Sequence, residues 1–131
     1  MTAQVEAPAT REGFQLIPAV DVVGTEAVRL RQGEFDDVVA RTGHWTKYDC
    51  VYNIPYRTLL PRAVDNLLVA GRCISVDHRV HHATKEIPPC MATGEAAGTA
   101  AALAVESGVD AKQVNVSLLQ KRLRDRGAIL G

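Results

Sequence analysis

NLLVAGRCISVDHRVHHATKEIPPCMATGEAAGTAAALAVE, residues Asn66–Glu106, decides how the rest of the chain is read. Four contiguous apolar residues, Leu67–Ala70, predict a strand buried on both faces. Gly71 ends it, and a polar loop with Arg72, Asp77, His78, His81, His82 and Lys85 follows. Pro88-Pro89 stops the loop ahead of a helix from about Met91 to Glu106. A strand end, a donor-rich loop and a helix start form the usual ligand crevice of an open α/β sheet. There the unpaired N–H groups and positive end of the helix favour the negative part of a ligand. Gly94 and Gly98 share one helix face, and each costs about 1 kcal/mol relative to Ala. With Ala96, Ala97, Ala100, Ala101 and Ala102 they leave a nearly flat surface. Such a face admits either a flat ring or a tight helix–strand crossing with no ligand.

Composition bounds the answer. The 131 residues suit one domain, and the formal net charge of zero carries no nucleic-acid signal. Aromatics at 5% are sparse for a self-sufficient core, whereas 47% apolar residues suit extensive close packing. Cys50, Cys73 and Cys90 are odd in number and lack metal-type spacing, which points to reduced thiols in a cytosol. With no long apolar run and no basic-then-apolar leader, the expectation is a cytoplasmic protein that enters no membrane.

Along the chain, residues 1–13 read as a flexible leader. Phe14–Val23 predicts one or two strands interrupted at Pro18, and Thr25–Leu30 a short helix. Phe35–Ala40 predicts a second short helix with Phe35, Val38 and Val39 inward, closed by Gly43. In His44–Cys50, Trp45 and Tyr48 either wall a pocket or cover the core. Tyr52–Arg57 predicts a strand whose Pro55 marks an edge or an end, and Pro61 with Asp65-Asn66 predicts a turn. Arg57 is a candidate for pairing a substrate anion, or equally for a structural salt bridge. His78, His81 and His82 lack a carboxylate or Cys at ligand spacing, so no metal site is expected. From Val114 to Gly127 the pattern predicts an amphipathic helix capped by Asn115, with Val116, Leu119 and Leu123 inward and Gly127 as the terminating residue.

Two blocks, YNIPYRTLLPRAVDNLLVAGRCIS (Tyr52–Ser75) and IPPCMATGEAAGTAAALA (Ile87–Ala104), closely resemble the C-terminal part of a family of FAD-dependent oxidoreductases. The likeness extends loosely to FDDVVARTG (Phe35–Gly43) and LQKRLRDRGAIL (Leu119–Leu130). It implies an α/β fold: the C-terminal fragment of a two-domain, FAD-binding, Rossmann-type oxidoreductase. Few strands, a small-residue helix and an amphipathic C-terminal helix are expected, with residues 14–65 as a substrate-side segment of short helices and edge strands and residues 66–131 as the C-terminal part of the FAD-binding fold. It also implies that FAD lies against Gly71, Arg72, Cys73, Ile74, Met91, Gly94, Ala97 and Gly98. The helix N-terminus would then stabilise reduced flavin, which is negative near N1 and O2.

By the same resemblance His78 is a candidate acid or base, or else a residue that fixes the loop. Arg57 and Lys85 are candidates for orienting a small-molecule substrate. Three residues depart from the family pattern: Lys85 stands for Arg, Glu95 for Gln and Pro89 for Thr. Lys for Arg loses a planar fork suited to carboxylates. The family's G-x-G-x-x-G phosphate turn occurs nowhere in these residues. The expectation is therefore a small subunit, or a fragment, that works with a larger FAD-binding subunit carrying that turn. The alternatives are a non-catalytic remnant that keeps only the packing motif, and a truncated piece of a longer enzyme.

Overall fold

The computed structural model describes residues 35–43, 51–76 and 78–130. The leader, the Phe14–Val23 strands, the Thr25–Leu30 helix and the Trp45–Tyr48 segment lie outside them. The described elements run β1 (Val38–Gly43), β2 (Val51–Pro55), α1 (His78–Thr84), α2 (Ile87–Ser107) and α3 (Val116–Asp125), with short 3-10 turns between. This is a mixed helix and strand fold in which β1 and β2 pair antiparallel, Thr42 opposite Tyr52.

The helix expected over Phe35–Ala40 is instead the entry to β1. The register explains the misreading. Val38 pairs with Pro55 and Ala40 with Ile54, so Val39 is an extra, bulged residue. The bulge turns Val38, Val39 and Ala40 inward in succession, and all three are buried. An inward pattern at Phe35, Val38 and Val39 therefore imitates a helical period, although adjacent β-branched residues favour a strand. Gly43 does end the element. β2 stops at Pro55, and Tyr56–Leu59 follow as a 3-10 turn.

α2 begins earlier than its composition suggested, at Ile87. Pro88 and Pro89 sit in its first turn, where a missing N–H costs nothing because that donor has no intrahelical partner. The helix ends at Gly108, whose φ of 62° allows Gly108 N to reach Val105 O and Val109 N to reach Ala104 O. One face, built from Thr93, Ala96, Ala97, Ala100 and Leu103, is buried, chiefly against β1. α3 starts where Asn115 Oδ1 accepts from Leu118 N at 3.0 Å, and it buries Leu119 and Leu123. These two leucines join Ile54, Leu59 and Ile74 in the main core.

Two further expectations need correcting. The polar stretch after Cys73 contains the helix α1, and Val80 of α1 packs with Phe35, Tyr52 and Val76 in a second, small cluster. Leu67–Ala70 is not a strand buried on both faces. It is extended, but Leu67 is 43% exposed and the other three are half-buried. No strand of the described residues lies beside it, so the ladder and the cover that a buried strand requires are missing.

Candidate functional site

The site is built on the turn at Gly71. Asn66 enters the segment at φ 52°, and its Oδ1 accepts from Ala111 N at 3.2 Å. Val69 N then donates to Leu59 O at 2.9 Å. Gly71 reverses the chain at φ 64°, a conformation that a Cβ would strain. Its N–H donates to Thr93 Oγ1 at 3.0 Å, and the Thr93 hydroxyl donates onward to Pro89 O at 2.8 Å. Thr93 thereby locks the turn onto the first turns of α2. A Cβ on Gly71 would lie 3.7 Å from Cys90 Sγ, so the thiol fills the space beneath the turn.

Lys85 O joins the pieces together. It accepts from Arg72 Nε at 3.0 Å and from Cys90 Sγ at 3.5 Å. The end of α1, the Gly71 turn and the start of α2 thus meet at one point. The structure brings Gly71, Arg72, Lys85 and Cys90 together there, with Met91 next in line on α2. Sequence reading missed Thr93 as a structural partner. A buried hydroxyl four residues after Pro89 in an alanine-rich helix was the available signal.

α2 also carries a second apolar face. Ile87, Met91, Gly94, Gly98, Ala101 and Val105 follow one another at spacings of four and three, which places them in one stripe. Ile87 and Met91 are each 70% exposed and Val105 is 83% exposed. Among the described residues, Cβ atoms built on Gly94 or Gly98 would meet nothing within 4 Å. Among the described residues, neither glycine makes the tight internal crossing that its position would allow. This stripe is apolar along its length, and it remains uncovered among the described residues.

The remaining candidates fall elsewhere. Ile74 and Ala97 point into the chain's own core. Cys73 and Arg72 are exposed. Arg57, 47% exposed, forms an ion pair with Asp37 at 3.1 Å and lies 4.9 Å over the Phe35 ring. The structural salt bridge that sequence reading allowed is thus present. The His78 side chain lies outside the description; His81 is half-buried and His82 exposed. Among the described residues no group of three His, Cys, Asp or Glu could hold a metal ion. No described helix is long and apolar enough to cross a membrane. Below the site, Tyr56 donates its phenol to Ala111 O at 2.7 Å, and burial pushes its pKa up to about 12.

Residues 19–123 match the family model of the FAD dependent oxidoreductases, which covers most of the chain. The chain belongs to that family. Comparison with curated proteins and with solved structures gave no match. Membership makes an oxidoreductase role and FAD the frame in which the site is read. The open stripe fits the group, because the two glycines leave room for a planar ring at the helix surface.

Proposed function

We propose that this chain completes the isoalloxazine and substrate site of an FAD-dependent oxidoreductase whose dinucleotide-binding fold comes from a larger partner subunit. The observation that carries this reading is the uncovered apolar face of α2, stripped of side chains at Gly94 and Gly98. Exposed helix glycines lower stability, and a surface that bare is useful where a flat ring or another backbone must come close.

Bound FAD would supply hydride-transfer chemistry. The turn at Gly71, with Arg72 and Cys73, and the helix positions Met91, Gly94 and Gly98 would hold the ring. Ile74 and Ala97 back that surface from the core. His78 would hold or take a proton from a small organic substrate. Lys85 and Arg57 would orient it, Arg57 through the donors of its five-donor fork that Asp37 does not occupy.

The test is co-expression with a polypeptide bearing strand–GxGxxG–helix, followed by co-purification and a visible spectrum. A yellow complex is expected. A colourless complex, or none, would reduce the chain to a packing module. Gly98→Leu should remove the yellow colour and leave the isolated chain folded, because a Cβ at that position meets nothing within 4 Å among the described residues.

A further inference from the structure

Thr93 is 1% exposed, yet it sets a hydroxyl inside an alanine-rich helix. Thr is a poorer helix former than Ala, and bonding back to the carbonyl four residues earlier does not strengthen the helix. What the hydroxyl accepts explains the position. Its proton goes to Pro89 O at 2.8 Å, with Cys90 O at 3.1 Å as the other acceptor. Its lone pairs are left for the Gly71 N–H at 3.0 Å. The turn needs such a hold. Its own 3-10 bonds are long, Cys73 N to Ala70 O at 3.3 Å and Ile74 N to Gly71 O at 3.4 Å, beyond the usual N–H···O range. Arg72 Nε on Lys85 O is a second tether, but it is exposed to water. The Thr93 tether is sheltered, where a hydrogen bond is electrostatically stronger.

In sequence Thr93 lies between Met91 and Gly94, but it belongs to the buried face of α2. It therefore grips the turn from behind the surface proposed to hold the ring. We infer that Thr93 is a positioning residue for the flavin: through Gly71 N it sets where Arg72 and Cys73 stand relative to Met91 and Gly94. This rests on the proposed flavin site and names the side chain that fixes its two halves against each other. Thr93 has almost no surface with which to touch ring or substrate, so it acts only through Gly71. Small displacements of a binding constellation cost affinity and tuning even when every contacting residue is present. Without the hydroxyl, the half-buried Gly71 N–H loses its partner, and the turn keeps only its long local bonds and its exposed tether.

Amide hydrogen exchange on the full chain and flavin titration of the complex, each with Thr93→Val and Thr93→Ser, test this. Thr93→Val keeps the shape and loses the hydroxyl. In the isolated chain it should let the Gly71 amide exchange about tenfold faster while Ala97 and Ala100 stay protected. Co-expressed with the polypeptide bearing strand–GxGxxG–helix, the same variant should bind FAD about tenfold more weakly. Its flavin should also have a lower midpoint potential, because a displaced ring gains less from the positive end of α2 on reduction. Thr93→Ser, which keeps the hydroxyl, should restore Gly71 protection, affinity and potential. Where Thr93→Val does not fold, Thr93→Ala carries the same expectations. A Thr93→Val complex of lower stability but unchanged affinity and potential would make Thr93 a structural residue only, overturning the inference and leaving the functional reading standing. A freely exchanging Gly71 amide in the natural chain overturns it too. If the natural chain and its partner hold no flavin, the functional reading falls and takes this inference with it.

Discussion

Tyr56 shows how one residue ties the segment before the Gly71 turn to the segment after α2. Its phenol is buried and donates to Ala111 O, and Ala111 N in turn donates to Asn66. Burial raises the Tyr56 pKa from 10.0 to about 12, so the folded chain holds this proton more tightly than the unfolded chain. The stabilisation is complete below pH 10 and is lost as pH rises towards 12. Denaturant midpoints across that window should fall in the natural chain. In Tyr56→Phe the fall should be smaller, at a cost of about 1 kcal/mol at neutral pH for the lost hydrogen bond. Gly71 gives a second prediction. Its Cβ would meet Cys90 at an ordinary 3.7 Å, so a substitution is opposed by the backbone and not by crowding. Gly71→Ala should cost roughly 1–2 kcal/mol in chemical denaturation, and Gly71→Asn less, because Asn tolerates the left-handed region. Equal losses for both would mean that packing, not φ, governs the position.

At the scale of elements, α2 is where stability and the proposed role pull apart. Gly94→Ala and Gly98→Ala add a Cβ that meets nothing among the described residues, so each should raise the stability of the isolated chain by about 1 kcal/mol through helix propensity alone. Their joint effect in a complex with flavin should be weaker flavin retention, read by absorbance after gel filtration. Destabilisation of the isolated chain would show instead that the glycines serve its own packing. The same helix shows what was legible in the sequence. Its small residues and periodic face were plain, and so was α3, with the Asn115 cap and the Gly127 terminus. The Gly71 turn was legible too. β1 was not, because a bulge at Val39 copies the helical period. The Leu67–Ala70 segment misled for a different reason. Its apolar run predicts burial, but among the described residues Leu67 is exposed and Leu68, Val69 and Ala70 are only half-buried. Arg57 was left with two readings, and its ion pair with Asp37 became visible only once β1 and the following turn were placed.

For the molecule as a whole, the proposed division of labour predicts how flavins of different length should bind. The residues proposed to hold a ring lie at the Gly71 turn and along α2, whereas no G-x-G-x-x-G turn occurs in the sequence to cradle a pyrophosphate. A chain with a ring surface but no phosphate grip gains nothing from the adenosine diphosphate arm of FAD. Titrated alone, it should therefore bind FAD and lumiflavin with similarly weak affinity. Once a dinucleotide-binding partner is present, FAD should be preferred by at least about 100-fold, which corresponds to about 2.7 kcal/mol assigned to the phosphates and adenosine. Binding of that strength should also raise the unfolding temperature of the complex in proportion to the logarithm of FAD concentration. Fluorescence titration of both flavins, with and without the partner, separates these cases. A strong preference for FAD by the isolated chain would mean that phosphate recognition resides within these 131 residues, and the division between two subunits would fall.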